Sequence, residues 1–352
     1  MEKSCKQHYK ENGVSQSNKN MQGLSPAPLM QLSTAYWDSQ TLLTANRMGL
    51  FDLLSDGAKT LEEITTALGT QPRPTRLFLK ACVGLDLVDE RENNFTNTPL
   101  SQTFLTSGSP AYLGNALRYS DNLYTTWGNL EQALKEDRPP MPPETYTGND
   151  KAQTRDFVYG MHDRALGIGQ VMVELVDLSG RTRMIDVGGG PGTYSALFAK
   201  KNPALHSCVL DLPEVVTIAV EIVESMGMSE RVKTEPLDYM QDAFPVGNDV
   251  VLISGVFHRE SEQTCRGFIQ RAFDALDPGG MLVVNDVFTD AGGNSPLFAT
   301  LFGLNMLLTA EDGGVHADAD VADWMKQQGF TSIEKSPFPP PMPHRIVTGI
   351  KP

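Results

Sequence analysis

Apolar residues recur at helical spacing over residues 29–54, with a short break at Asn46-Arg47-Met48-Gly49-Leu50-Phe51. Thr60-Leu61-Glu62-Glu63-Ile64 then reads as a capping-box helix start, and 73–87 as a second amphipathic helix. The polar tract Phe95-Thr96-Asn97-Thr98-Pro99 closes a short hairpin. Short helices followed by a small β-ribbon make a winged-helix pattern. Residues 111–134 and 156–178 carry further helices, separated by Arg138-Pro139-Pro140-Met141-Pro142-Pro143, whose prolines forbid regular structure and predict a linker or a loop over a site. From Arg183 the texture changes. Strand-like runs at 184–187, 207–210, 232–236, 250–254 and 281–286 alternate with helical ones, which predicts an α/β fold with a doubly wound, mostly parallel sheet. The expected division is a disordered leader at 1–25, a winged-helix-like dimerisation and lid domain at 26–150, and an α/β domain at 151–352.

Composition narrows the partners. A formal net charge of −14 argues against nucleic acid, because phosphate contacts need a basic surface. Only Arg73, Arg76 and Lys80 are basic in the would-be recognition helix. No apolar run approaches the ~20 residues of a membrane span, and residues 1–20 lack the apolar stretch of a secretory signal. The four cysteines, Cys5, Cys82, Cys208 and Cys265, are scattered without metal-ligand spacing. A cytoplasmic protein without metal or membrane partner is expected.

The candidate chemistry begins at Asp186-Val187-Gly188-Gly189-Gly190-Pro191-Gly192, a hydrophobic strand feeding a glycine loop and a helix at 193–200. Glycines let backbone pass close to a ligand, and in a doubly wound sheet this loop opens at the carboxyl end of the first strand. Asp211, at the end of the second strand, suits two ribose hydroxyls, and Asp238 follows the third strand where an adenine amino group would lie. A glycine loop also describes dinucleotide sites. Asp186 beside the loop favours an amine-bearing ligand over a diphosphate, which points to S-adenosyl-L-methionine.

These motifs, together with Leu210-Asp211-Leu212-Pro213, Ala275-Leu276-Asp277-Pro278-Gly279-Gly280, Leu304-Asn305-Met306-Leu307-Leu308 and Gly313-Gly314, resemble the class II small-molecule O-methyltransferases over nearly the whole chain. That group includes caffeate, acetylserotonin and bacterial phenazine and bacteriochlorophyll methyltransferases. The resemblance implies a Rossmann-like domain that converts S-adenosyl-L-methionine to S-adenosyl-L-homocysteine, an N-terminal dimerisation domain, homodimers and no metal. Carried over by position, Gly188, Gly190 and Asp186 would hold the methionine part, Asp211 with Leu212 the ribose, and Asp238 with Tyr239 the adenine. Ser254 matches a position where plant members have a lysine near the cofactor.

The resemblance also implies a general-base histidine, placed here at His258, in a triplet that reads His-Arg-Glu instead of His-Asp-Trp. Histidine side chains titrate near neutrality, which suits that task. Two carboxylates orient the base in relatives. Asp286 matches the first, and His316 stands at the second, where no negative charge is available. Trp127, Met161, His162, Phe302, Asn305 and Met306 are the expected acceptor lining, with Arg259 as an added cation. Two chemistries follow. One is methyl transfer to a small-molecule hydroxyl. The other is S-methylation of a thiol or thioether carboxylic acid, as in relatives that act on methylthiohydroxybutyrate in dimethylsulfoniopropionate synthesis, where sulfur needs little basic help. A third reading, from another class, is a non-catalytic winged-helix ligand sensor.

Overall fold

The structure, a computed structural model, describes residues 24–141 and 150–352. Most of the expected leader, and Pro142 and Pro143 of the proline tract, lie outside the described residues. The periodic stretch at 29–54 forms three helices, α1 (Ala27–Thr34), α2 (Tyr36–Arg47) and α3 (Leu50–Leu53). The break between α2 and α3 is made by Gly49, whose φ of 71° is open to glycine at little cost. Strand β1 (Lys59–Thr60) leads into α4 (Leu61–Leu68) through the expected capping box: the Glu63 amide donates to Thr60 Oγ1 at 3.2 Å, and the Thr60 amide donates to the Glu63 carboxylate at 2.7 Å. Helix α5 (Pro72–Gly84) and the hairpin of β2 (Val88–Arg91) and β3 (Asn94–Asn97) complete a small three-stranded sheet of order β1-β3-β2. Leu50, Phe51, Ile64, Leu79 and Phe95 fill the core between these elements.

Helices α6 (Pro99–Phe104), α7 (Gly114–Trp127) and α8 (Leu130–Glu136) follow. The long α9 (Lys151–Leu175) then leads towards the large sheet. It packs on α7 closely enough that a Cβ at Gly160 would stand 3.1 Å from the Asn115 carbonyl. All five expected parallel strands are present: β4 (Arg183–Val187), β5 (His206–Asp211), β6 (Val232–Pro236), β7 (Asn248–Ser254) and β8 (Leu276–Val287). Between them lie α10 (Thr193–Lys201), α11 (Pro213–Ser225) and α12 (Glu262–Ala275). Helices α13 (Leu297–Leu307) and α14 (Asp318–Gln328) come next. The chain closes with β9 (Thr331–Pro337) and β10 (His344–Ile350), so that the seven-stranded sheet runs β6-β5-β4-β7-β8-β10-β9.

Side chains alternate between the two faces of that sheet. Ile185, Val251, Ile253 and Val284 meet α12 and α14 on one face, while Met184, Val250, Leu252 and Val283 meet α9 and α10 on the other. The antiparallel pair β9–β10 is absent from the sequence expectation. Residues of β9 are exposed or half-buried throughout, so this edge strand carries no apolar run to announce it. The strand order reverses between β4 and β7, which opens a crevice at their carboxyl ends. Among the described residues, no helix is long and apolar enough to cross a membrane.

Candidate active site

The glycine loop occupies the crevice. Gly188 has φ 64° and its amide donates to the Leu210 carbonyl at 2.8 Å, tying the loop to β5. A Cβ here would stand 2.7 Å from the Val256 side chain, with Tyr239 beyond it, so only glycine fits. Gly190, with φ 53°, has nothing within 4 Å of its missing Cβ and opens onto free space. Its amide donates to Asp211 Oδ2 at 2.8 Å, while the Leu212 amide donates to Oδ1 at 2.7 Å. Burial nevertheless pushes the Asp211 carboxyl up to about 6, because two backbone donors do not replace the water it has lost. Further hydroxyl donors would complete its shell.

Asp211, Asp238 and Tyr239 come together as expected. The Leu237 amide donates to the Asp211 carbonyl at 2.9 Å, which sets Asp238 and Tyr239 beside the loop. The Asp238 carboxylate accepts from the Met240 amide at 3.0 Å. Tyr239 packs edge-on against Phe268. Asp186 is placed differently from the expectation. Its carboxyl is 0% exposed and lies under Gly189, accepting from Ser195 Oγ at 2.8 Å while Oδ1 has no partner. Burial, helped by the charge of Asp211, pushes it up to about 7. Asp186 braces the loop from below instead of facing the crevice. Ser254 is likewise buried and accepts from Asn285 Nδ2 at 2.9 Å.

A second cluster forms where β7 and β8 end. His258 sits in a single 3-10 turn, Phe257–Arg259, and its Nδ1 lies 2.6 Å from Asp286 Oδ1. Asp286 is fully buried, which by itself raises its pKa. The His258 ring and hydrogen bonds from His258 and Val287 outweigh burial and hold the carboxyl below its ordinary value. Phe302 of α13 meets the His258 ring edge-on, with ring centres 4.8 Å apart. Trp127 Nε1 donates to Asn305 Oδ1 at 2.9 Å and so clips the end of α7 to α13. Met161 packs with Tyr119 and Leu123 on the α7–α9 side.

Three expected site residues lie elsewhere or act differently. His162 Nδ1 is 2.7 Å from Thr193 Oγ1, which puts it on the glycine-loop side and not in the acceptor lining. Met306 is only 2% exposed and is part of the core beneath Gly313. His316 Nε2 donates to the Glu260 carbonyl at 2.9 Å and its ring stands edge-on to Trp324, so it braces the loop and does not reach the His258–Asp286 pair. The Gly314 amide instead donates to the His258 carbonyl at 2.9 Å, so this loop meets the base through backbone. Arg259, half-buried, makes no side-chain hydrogen bond or ion pair among the described residues. Glu260, beside it, is pushed up to about 7 by burial against the pull of Arg259. Two residues near the pair carried no sequence signal. Tyr119 looks like ordinary core spacing in α7, and His344 arrives on the unannounced β10.

The chain is similar to known proteins along most of its length. Residues 127–331 match the O-methyltransferase domain and residues 30–107 match the O-methyltransferase dimerisation domain. The 3-hydroxy-5-methyl-1-naphthoate 3-O-methyltransferase of Streptomyces sahachiroi is 30% identical over 93% of this chain and 95% of its own length. The N,N-dimethyltransferase OxyT of Streptomyces rimosus is 33% identical over 74% of this chain and 78% of its own. The crystal structure of human N-acetylserotonin methyltransferase in complex with S-adenosylmethionine superposes with a TM-score of 0.85 at 24% identity, covering 96% of this chain and 99% of that one.

Proposed function

The chain belongs to the S-adenosylmethionine-dependent O-methyltransferase family, and from that premise we propose that it methylates the hydroxyl of a small molecule, with His258 taking the hydroxyl proton. The observation that carries this reading is the 2.6 Å bond between His258 Nδ1 and Asp286 Oδ1 next to the glycine loop. With Asp286 accepting from Nδ1–H, Nε2 keeps its lone pair, the state a general base needs. When bound, S-adenosylmethionine supplies the methyl group. The residues present fit it: Gly190 leaves open space where the methionine part would lie beside Gly188, Asp211 would accept from the ribose hydroxyls, and Asp238 and Tyr239 would hold the adenine. Phe302 and Met161 wall the acceptor, and Trp127 with Asn305 closes the far side. In this reading residues 151–352 do the chemistry, residues 26–150 cover the site and pair two copies, and the protein works in the cytoplasm without a metal.

A second reading is favoured by two observations. His316 brings no carboxylate to the base, and Arg259 makes no side-chain hydrogen bond or ion pair among the described residues. S-methylation of a thiol or thioether carboxylic acid would use His258 and Arg259 for binding and rely on alignment of sulfur with the methyl group. Calorimetry with S-adenosylmethionine and S-adenosylhomocysteine tests the cofactor, and no binding at millimolar ligand would sink both readings. The variant His258→Ala separates them. With an oxygen acceptor kcat falls about 10²–10⁴-fold, whereas a change confined to the acceptor KM favours sulfur.

A further inference from the structure

Arg164 lies on the face of α9 that carries Phe157 and Met161, one turn beyond Met161. Its Nη2 donates to Ser120 Oγ at 3.1 Å, and its guanidinium lies over the Tyr119 ring, 5.0 Å from the ring centre. Among the described residues it has no carboxylate partner. Asp163, its neighbour in sequence, is occupied at the first turn of α7, accepting from the Asn115 and Ala116 amides at 3.0 and 3.3 Å.

The groups around Arg164 do not balance its charge. Tyr119 is in electrostatic range of both Arg164 and Arg259, two guanidiniums without ion pairs among the described residues. Burial keeps His344 neutral, holding it at about 4, with Arg164 and His258 acting in the same direction, and its Nδ1 is buried without a hydrogen-bond partner. Of the carboxylates nearby, Asp163 pulls on Arg164 through space but is committed to the α7 amides and pushed upward by burial, and Asp286 is bound to His258. Glu260 is only partly ionised at neutral pH, being pushed up to about 7. A local excess of positive charge thus sits inside a chain whose net charge is −14. Charge removed from water is ordinarily matched by a counter-charge. The planar guanidinium has five N–H donors, of which Ser120 engages one, and its fork matches the two oxygens of a carboxylate.

We infer that Arg164 anchors a carboxylate of the methyl acceptor, so that the acceptor enters the site as an anion with Arg259 as the second cation. The inference rests on the methyl-transfer reading above. Position assigns the carboxylate to the acceptor and not to the amino-acid end of the cofactor. Arg164 shares the Met161 face of α9, whereas His162, on another face, is the residue that reaches Thr193 of the glycine loop.

The test uses the full-length protein saturated with S-adenosylhomocysteine. Calorimetry measures binding of hydroxybenzoic, hydroxynaphthoic, hydroxyalkanoic and methylthioalkanoic acids, each against its own carboxamide. Wild type binds at least one acid about 10- to 100-fold more tightly than its amide, the scale of a charge-assisted pair. Arg164→Gln brings that ratio close to one, and Arg164→Lys retains part of it. Neither variant changes the affinity for S-adenosylhomocysteine, which also reports that each is folded. An acid–amide ratio near one in wild type for every pair overturns the inference, as does a preference that survives in Arg164→Gln. If Arg164→Gln weakens S-adenosylhomocysteine but not 5′-methylthioadenosine, which lacks the amino-acid end, the carboxylate is the cofactor's and the acceptor assignment is wrong. Failure of the methyltransferase reading shows separately, as wild type that does not bind S-adenosylhomocysteine.

Discussion

At the scale of single residues the site is governed by what burial does to acids. Asp211 is held up at about 6 with only two backbone donors. Ribose hydroxyls donate to the charged form, so ligand binding lowers this pKa and is favoured when the carboxyl is ionised. Affinity for S-adenosylhomocysteine is therefore expected to weaken as pH falls below about 6, and Asp211→Asn should bind weakly with a flat profile. Calorimetry between pH 5 and pH 8, as a range of about three units around the transition, checks this. Asp186 has the same sign in a different role. Its folded value of about 7 lies above the ordinary 3.8, so the native state holds a proton that the unfolded chain releases, and stability is lost as pH rises through this window. Asp186→Asn removes that loss, so its melting temperature should gain on wild type more at pH 8 than at pH 5; an equal shift at both pH values would contradict it. Both acids were visible in the sequence as site residues. Their division of labour was not, because whether a side chain points up into a crevice or down under a loop depends on the packing of α10 against the sheet.

At the scale of elements, the strand–loop–helix at 183–201 was the most legible part of the chain, since a buried strand, a glycine run and a helix start leave few alternatives. The constraint is steric and can be measured. Gly188→Ala combines positive φ with a Cβ 2.7 Å from Val256, and about 1–3 kcal/mol of stability is expected to be lost. Cofactor affinity should fall at least tenfold as the loop is displaced, which denaturation and calorimetry resolve together. The 3-10 turn at Phe257–Arg259 was not foreseen. The sequence placed His258 simply after a strand, whereas the turn is what brings Nδ1 to Asp286 on the neighbouring strand. The fate of His316 belongs here too, because α14 presents Trp324 to it and removes it from the base.

At the scale of the whole molecule, α1 has no buried residue, and Leu29, Leu32 and Trp37 are 70%, 74% and 59% exposed. An isolated helix this short does not hold in water without tertiary cover. The match to a dimerisation domain begins at residue 30, in this same helix, which makes a second copy the expected cover. Leu29→Glu together with Leu32→Glu should convert the dimer to monomer by light scattering, and a dimer that persists would place the interface elsewhere. The exposed face of α13, with Leu297 and Phe298 at 63% and 55%, lies beside Phe302 and the base, so loss of pairing is expected to lower turnover as well as mass.

The amino-acid sequence by itself determined the fold class, the five parallel strands, the glycine loop, Asp211 and the candidacy of His258. Each of these is set by local pattern: a period of hydrophobicity, a glycine run, an acid at a strand end. Only the tertiary structure decided that Asp186 lies buried under Gly189 while Asp211 meets the Gly190 amide, that His162 reaches Thr193 and His316 the Glu260 carbonyl, and that Arg164 has no ion pair among the described residues. Those outcomes depend on which side chains from α7, α9, β8, β10 and α13 converge. Such contacts join residues far apart in sequence, through burial and electrostatics that no local pattern encodes.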